Sequence, residues 1–407
     1  MVSSTSADTR VKMLAAGEWT VSSATRAGKI FNPSTGQQIG VVPFSSAAET
    51  AKVVEAAADA LPAWADTPAV ERAQMLFRYR ELLVRHTDEL AAIVTREHGK
   101  TLPEARASVQ RGIEMVEFAC GAPSLLMGQC IQNIAKNVDS ETIRHPVGVC
   151  VGITPFNFPA MVPMWMFPVA LACGNTFVLK PSEKVPLSAV RISELLVEAG
   201  VPAGVFNLVH GDKECVDALL IHPQVAAISF VGSTKIAEYV YQTGTHHGKR
   251  VQAAGGAKNH LIIMPDADLD QAAAALVASA YGCAGERCMA GSVAVPVGEV
   301  ADKLVERLCA KAGSLRVGAT DGGAEVDMGP LITREHLERV TGYLDVAAGE
   351  GATVALDGRE AKCSGDGFLV GPSVVDRVAP DMRLAQEEIF GPVLSVVRAG
   401  DIDEALS

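Results

Sequence analysis

The sequence predicts an α/β protein with two doubly wound domains, and three observations lead to that fold class. Strands and helices alternate from about Gly148 to residue 256, which is the pattern of a parallel sheet covered by helices. A second alternating series begins near His260. The chain has 407 residues, more than one ordinary hydrophobic core accommodates. We therefore expect two α/β domains, with the boundary near Ala257.

The first 120 residues are predicted to be mostly helical after a short strand-and-turn opening, IFNPSTGQQIG. Helical composition and spacing cover residues 47–60 and 70–95. A third helix is predicted over 103–118, because a proline in the first turn suits a helix start.

The central part of the chain contains no charged residue from Val147 to Leu179. That run is long enough to cross a bilayer, but four prolines interrupt it, and each removes a backbone donor. We interpret it as a buried strand (GVCVGIT), an apolar helix over 161–173 and a second buried strand (TFVLK), as parallel sheets covered on both faces require.

The remaining elements follow in the same rhythm. In the first series the later strands are predicted at VFNLV, AISFV and RVQAA. In the second series strands are predicted at HLIIM, VAVPV and ATVAL, with helices starting at Leu269 and Asp302. Ligands of such folds bind at loops that follow strand ends.

Composition excludes several classes of function. The formal charge of −12 disfavours a protein that tracks nucleic-acid phosphates. Nine cysteines without regular spacing do not form a disulfide framework or a zinc motif, so we expect no metal site. The N-terminus has no apolar signal-peptide core, and a reducing, cytoplasmic location is expected.

The segment GCAGERCMAG carries a candidate nucleophile, Cys288, in a glycine-punctuated loop between a helix and a strand. A cysteine becomes nucleophilic when local charge lowers its pKa, and Arg287 is its neighbour. Taken alone, a free cysteine is more often a small buried hydrophobe, and Cys283 is a rival for the role.

Three other loops carry candidate polar groups. Asn157 lies between prolines where a strand gives way to a helix, and its amide could donate to an oxyanion or merely form a turn. KPSEK lies at the end of a strand. There the Glu183 carboxylate would accept hydrogen bonds from the ribose hydroxyls of NAD, and Lys180 and Ser182 would act as donors. A solvated turn is the alternative. FVGST sets Gly232 and Ser233 at a strand-to-helix junction suited to a phosphate, although no G-x-G-x-x-G occurs.

Taken together, these segments resemble the aldehyde dehydrogenase superfamily. PFNFP, LKPSE, FVGS, GERC and EEIFGPV occur in that family's order across nearly the whole chain. The resemblance implies that Cys288 is the nucleophile and Asn157 the oxyanion donor. It further implies a set of cofactor-binding residues: Thr154, Phe156, Lys180, Ser182, Glu183, Lys184, Gly232, Ser233, Gly255, Glu388 and Phe390, the last two contacting the nicotinamide half of NAD.

One departure from the family pattern is informative. Hydrolytic members carry E-L-G-G-K, whose glutamate activates water, whereas aligning the lysine with Lys258 gives A-G-G-A-K here and puts Ala254 at the glutamate position. A thioester on Cys288 would lack its usual base for hydrolysis, but the more acidic thiol of coenzyme A could attack it. The blocks QAAGGAKNH and VPMWMFPVALACGNTFVLKPSE are similar to the CoA-acylating methylmalonate-semialdehyde dehydrogenase subfamily.

That resemblance sets the remaining expectations. Residues 1–122 and 147–256 would form the NAD-binding domain, 123–146 an oligomerisation element and 257–407 an incomplete catalytic domain, because the chain stops inside an apparent helix. The full-length protein would be a homodimer or homotetramer.

The implied reaction converts methylmalonate or malonate semialdehyde, NAD and CoA into propionyl-CoA or acetyl-CoA with loss of CO2. Arg111 and Arg287 would bind the substrate carboxylate, for which arginine is suited. An exposed helix position is the alternative for Arg111. A hydrolytic, CoA-independent aldehyde dehydrogenase and a non-enzymatic nucleotide-binding fragment remain the alternative functions.

Overall fold

The computed structural model describes residues 7–322, 325–363 and 365–407, and the chain divides into two compact units. The first unit runs to Ile30 and continues over Ile39–Val94 and Arg106–Gly255. The second unit contains Gly256–Ser407 together with two short earlier segments, Phe31–Gln38 and Thr95–Ala105. The boundary between the two α/β series therefore falls at Gly255 and Gly256.

The strands of the described residues are β1 (Met13–Ala15), β2 (Glu18–Thr20), β3 (Ala27–Asn32), β4 (Gln37–Pro43), β5 (Cys130–Ala135), β6 (Val138–Glu141), β7 (Val149–Ile153), β8 (Thr176–Lys180), β9 (Phe206–Leu208), β10 (Val225–Val231), β11 (Arg250–Ala254), β12 (Asn259–Ile263), β13 (Gly291–Pro296), β14 (Thr353–Leu356), β15 (Ser373–Asp376) and β16 (Val393–Val396).

The α-helices are α1 (Ala47–Asp66), α2 (Ala69–Arg85), α3 (Thr87–His98), α4 (Leu102–Cys120), α5 (Ala122–Leu125), α6 (Met161–Ala172), α7 (Pro186–Glu198), α8 (Lys213–Ile221), α9 (Thr234–His246), α10 (Leu269–Tyr281), α11 (Ala301–Gly313), α12 (Arg334–Gly349), α13 (Arg383–Gln386) and α14 (Ile402–Leu406).

The first unit is built on a seven-stranded sheet in the order β11-β10-β7-β8-β9-β1-β2. The five strands from β11 to β9 are parallel, and β1 and β2 add an antiparallel edge. Every residue of β7 and β8 is buried, and the apolar helix α6 lies between these two strands in sequence. The uncharged run is therefore core, as predicted. Among the described residues, no helix combines the length and apolar composition that a bilayer crossing needs.

The second unit is built on a five-stranded sheet in the order β12-β13-β16-β15-β14. Four of its strands are parallel, and β14 joins the edge antiparallel to β15. Its core packs helices α10, α11 and α12 against the sheet through residues such as Leu276, Leu304 and Leu344. The α/β fold class is confirmed, with mixed edges that the sequence analysis did not anticipate.

Two helix predictions needed correction. The helical stretch over 70–95 is two helices, because the chain breaks at His86 and α3 starts afresh with residues typical of a helix N-terminus, Thr87, Asp88 and Glu89. The first helix continues past residue 60 to Asp66, through Pro62, because the indole of the buried Trp64 donates to the Leu171 carbonyl at 3.0 Å and anchors the last turn.

The antiparallel pair β5–β6 stands apart from both larger sheets. Every residue of both strands is exposed. Its apolar side chains include Ile131, Ile134 and Val138, each about half exposed. This hairpin lies within the segment 123–146 that was predicted to join subunits.

Candidate active site

The loop that carries Cys288 starts where α10 ends and has an unusual backbone. Cys283, Ala284 and Gly285 form a tight left-handed turn, with positive φ values of 52°, 53° and 73°. Positive φ is costly for residues with a side chain, so this conformation needs external support. The Glu104 carboxylate provides it by accepting the Cys283 backbone N–H at 2.7 Å.

Gly285 is also required by a close approach. A Cβ at this position would lie 2.4 Å from the carbonyl oxygen of Gly391, the residue after Phe390. The loop and the EEIFGPV segment can therefore touch only because Gly285 lacks a side chain.

Cys288 itself is partly exposed and follows this supported turn. The side-chain amide of Asn259 donates to the carbonyls of Cys288 and Ala290, at 2.8 and 2.9 Å, and so holds the backbone that follows the Cys288 Cα. Cys283 is buried, and burial raises the pKa of its thiol, which disfavours the thiolate. Accessibility thus favours Cys288 over its rival as nucleophile.

The two predicted arginines occupy different surroundings. Arg287 donates through Nη2 to the carbonyls of Ala278 and Ser279 near the end of α10, at 2.9 and 2.7 Å, and also lines a pocket of the second unit. Arg111 lies on the exposed side of α4 and pairs with Glu114 at 2.8 Å. A role for either in binding a carboxylate stays a prediction.

Glu388 and Phe390 line the same pocket as Arg287, together with Ala257 and Ser292. The Glu388 carboxylate accepts the Ala257 backbone N–H at 3.3 Å, and a Cβ on Gly256 would lie 2.0 Å from its other oxygen. The Glu388 carboxylate therefore packs directly against the Cα of Gly256.

Lys258, next in sequence, donates to the carbonyl of Glu387 at 2.8 Å. Burial lowers the pKa of Lys258 to about 8, although the carboxylates of Glu388 and Glu387 oppose the shift.

In the first unit, the predicted ribose-binding residues come together at the carboxyl ends of β7 and β8. Lys180 is buried, donates to the Gly211 carbonyl at 3.0 Å and lies 3.5 Å from the Glu183 carboxylate. The Lys184 ammonium lies 5.0 Å from the centre of the Phe156 ring.

Two hydroxyls complete this cluster. Ser182 Oγ accepts the Lys184 backbone N–H at 3.3 Å. The Thr154 hydroxyl is buried without a hydrogen-bond partner among the described residues, while the Thr154 N–H donates to the Lys180 carbonyl at 3.1 Å. Asn157, three residues further on, is buried in the turn before α6.

The predicted phosphate site lies at the junction of β10 and α9. Ser233 is the N-cap residue of α9, and its hydroxyl does not cap the helix. The Gly232 N–H donates to the Ala254 carbonyl at 3.1 Å, which joins the ends of β10 and β11 just before Gly255. A helix N-terminus beside small residues suits an anionic group.

Sequence reasoning missed Glu104 and Asn259, which support the Cys288 loop. Asn259 lies in the AKNH motif beside Lys258, and an amide next to a site lysine was a usable signal. Glu104 lies 179 residues before Cys283, and its local pattern is that of an ordinary helix start. No group of three or more His, Cys, Asp or Glu residues suited to a metal ion occurs in the part of the chain that the structure describes.

The aldehyde dehydrogenase family pattern matches residues 19–407. The chain belongs to the aldehyde dehydrogenase family.

Individual relatives within this family are similar over nearly the whole chain. A malonate-semialdehyde dehydrogenase of Pseudomonas aeruginosa is 53% identical over 94% of this chain and 77% of its own length. Malonate-semialdehyde dehydrogenase 2 of Geobacillus thermodenitrificans is 52% identical over 97% of this chain and 82% of its own length.

Solved structures of the same family superpose closely on this chain. A protein of Sinorhizobium meliloti 1021, described as a methylmalonate-semialdehyde dehydrogenase and crystallised with NAD, is 48% identical with a TM-score of 0.95, over 98% of this chain and 82% of that one. The methylmalonate-semialdehyde dehydrogenase of Oceanimonas doudoroffii is 49% identical with the same TM-score and coverage. The family resemblance drawn from the sequence motifs is confirmed.

Proposed function

We propose that this aldehyde dehydrogenase oxidises malonate and methylmalonate semialdehyde with NAD and transfers the acyl product to coenzyme A. The observation that carries the proposal is a pair of residues: a partly exposed thiol, Cys288, on a buttressed loop, and a methyl side chain, Ala254, where hydrolytic members have their base. The names of the relatives at 49–53% identity support the substrate class.

The residues of the first unit suit NAD. The Glu183 carboxylate would accept ribose hydroxyls, and Lys180 and Ser182 supply donors beside it. The buried Thr154 hydroxyl is a further polar atom available to a ligand. Ser233 at the start of α9 would lie at the pyrophosphate. NAD, when bound, supplies the hydride acceptor.

The chain's own chemistry centres on Cys288. Its thiolate attacks the aldehyde carbon, and we assign the amide of Asn157 and the Cys288 N–H to the resulting oxyanion. Loss of hydride leaves an acyl thioester on Sγ. The substrate carboxylate is β to the thioester carbonyl, so its loss as CO2 leaves a carbanion that the thioester delocalises. A proton taken up from solvent converts this carbanion into the acetyl or propionyl thioester. The CoA thiolate then attacks the carbonyl carbon and releases Cys288.

We also propose that copies of the chain associate through the β5–β6 hairpin within 123–146. Every residue of this hairpin is exposed, and its isoleucine and valine side chains, each about half exposed, are suited to a partner surface. A homodimer or homotetramer would result. Nine free cysteines support a reducing, cytoplasmic location.

Mass spectrometry of the intact protein tests the central proposal. With NAD and methylmalonate semialdehyde, we expect an acyl adduct that accumulates without CoA and disappears with it. Cys288→Ala should abolish the adduct and NADH formation while leaving NAD binding intact, and Cys283→Ala should be mild. Exchange of these two phenotypes would refute the nucleophile assignment, and steady NADH formation without CoA would support the hydrolytic alternative.

A further inference from the structure

The segment Glu387–Phe390 is held through every one of its backbone carbonyls. The Lys258 ammonium donates to the Glu387 carbonyl at 2.8 Å. The guanidinium of Arg339 donates through Nη2 to the Glu388 carbonyl at 2.9 Å and through Nη1 to the Ile389 carbonyl at 3.2 Å. The His336 ring nitrogen Nε2 lies 2.7 Å from the Phe390 carbonyl oxygen. Four successive carbonyls thus accept from three side chains.

The last of these bonds holds a strained residue. Phe390 has a φ of +59°, a conformation that L residues other than glycine rarely adopt. A carbonyl oxygen only accepts, so Nε2 of His336 carries the proton and donates it. This bond favours the backbone orientation that directs the Phe390 side chain into the pocket lining.

The donor lies beside a residue of the Cys288 loop. His336 Nε2 lies 3.5 Å from the carboxylate of Glu286, which is fully buried two residues before Cys288. The same carboxylate oxygen accepts the Ile332 N–H at 3.2 Å, just before α12. One carboxylate therefore connects the start of α12 to the loop that carries the nucleophile.

Helix α12 presents both donors from one face. His336 and Arg339 are three residues apart, so their side chains point in similar directions. The helix start is fixed by Thr333, whose hydroxyl accepts the His336 N–H at 3.1 Å.

We propose that His336 and Arg339 are positioning residues that hold Glu388 and Phe390 in place for hydride transfer. The inference rests on the proposed function and on the family resemblance, which implies that Glu388 and Phe390 contact the nicotinamide half of NAD. His336 and Arg339 bind backbone carbonyls, so they act through the segment and not on the substrate. Their removal should impair the step that needs NAD and spare the steps that need only the thiol.

The full chain can be tested in two assays that separate those steps. The first measures kcat/KM for NAD with malonate semialdehyde and CoA. The second uses no NAD: the Cys288 thiolate attacks 4-nitrophenyl acetate, releases 4-nitrophenolate and forms an acetyl thioester, which the CoA thiolate then removes as acetyl-CoA, freeing Cys288. The variants are His336→Leu, Arg339→Met and His336→Gln, which keeps an amide donor. Thr341→Val is the matched control, because it removes a hydroxyl bond on the same helix that stays within the helix.

We expect His336→Leu and Arg339→Met each to lower kcat/KM for NAD about 3- to 10-fold, which is the effect of losing one or two hydrogen bonds. Acetyl transfer by His336→Leu and Arg339→Met should stay within about twofold of the wild-type rate. Both activities of His336→Gln and Thr341→Val should also stay within about twofold, since each of these variants keeps a side-chain donor to the Phe390 carbonyl. Arg339 is exposed, so its variant provides an independent test should His336→Leu unfold.

Two outcomes would overturn the inference: wild-type kcat/KM for NAD in folded Arg339→Met and His336→Leu proteins, or equal losses in both assays, which would indicate a purely structural role. Failure of the proposed function looks different. In that case the wild-type protein itself would release no 4-nitrophenolate that depends on Cys288, or would reduce no NAD.

Discussion

The close approach of Gly285 to Gly391 makes Gly285→Ala a quantitative test of how the Cys288 loop is built. The substitution adds one methyl group at a φ of +73°, with its Cβ 2.4 Å from the Gly391 carbonyl oxygen. Gly351 provides a matched control, because it has a φ of +91° and, apart from its chain neighbours, no atom of the described residues lies within 4 Å of the added Cβ. Comparing the two variants separates backbone strain from the steric clash.

The expected magnitudes follow from these two geometries. The left-handed conformation costs an L residue about 1–2 kcal/mol, and both variants incur that cost. The clash at Gly285 forces the backbone apart, which adds about 1–3 kcal/mol. We therefore expect Gly351→Ala to lower the free energy of unfolding by about 1–2 kcal/mol and Gly285→Ala by about 2–5 kcal/mol.

Activity should separate the variants further. Cys288 lies three residues after Gly285, and a displacement of about 1 Å at a reacting group costs about 100-fold in rate. Denaturant unfolding and kcat/KM would be measured for both variants. A Gly285→Ala protein that is no less stable than Gly351→Ala and retains wild-type activity would refute the close-contact argument.

Three further predictions address the cofactor, acid stability and the fate of the thioester. NAD should be preferred over NADP because Glu183 would repel a 2′-phosphate. Glu183→Gln should reduce the ratio of kcat/KM with NAD to kcat/KM with NADP by about tenfold. Equal kcat/KM values with the two cofactors in the wild-type protein would exclude a contact between Glu183 and the ribose. Burial lowers the pKa of His210 to about 4, so the unfolded chain binds a proton first as the pH falls from 6.5 to 4. The free energy of unfolding should decline over that window by up to about 3 kcal/mol. In thermal melts over the same pH range, His210→Asn should show a smaller decline. Parallel curves of melting temperature against pH for the wild type and the variant would show that His210 is not the cause. Ala254→Glu should introduce CoA-independent NADH formation, since a positioned base contributes about 10²–10⁴-fold, with thermal melting as the folding control; a folded variant that still requires CoA would count against the base-replacement argument.

Local sequence patterns were sufficient to predict the central strands, helix α6 and the positions of the candidate site residues along the chain. The uncharged run over 147–179 identified the central strands and α6, because a strand buried on both faces must be apolar throughout. Short motifs after those strands located the candidate groups, including Lys180 and Ser233, since the carboxyl ends of parallel strands share one edge of a sheet. The order of the motifs along the chain was sufficient to identify the aldehyde dehydrogenase family.

Tertiary structure alone decided how these groups are supported. Glu104 reaches Cys283 across 179 residues, and His336 reaches Phe390 across 54. The sequence around Glu104 looks like an ordinary helix start, and the sequence around His336 looks like an ordinary helix face. The edge strands β1 and β2 and the break at His86 were missed for a related reason, because short elements depend on neighbours that the local pattern does not contain. Hydrophobic periodicity and strand-end motifs are properties of contiguous residues and can be read directly from the sequence. The bonds that hold a strained loop join distant residues and exist only once the chain has folded.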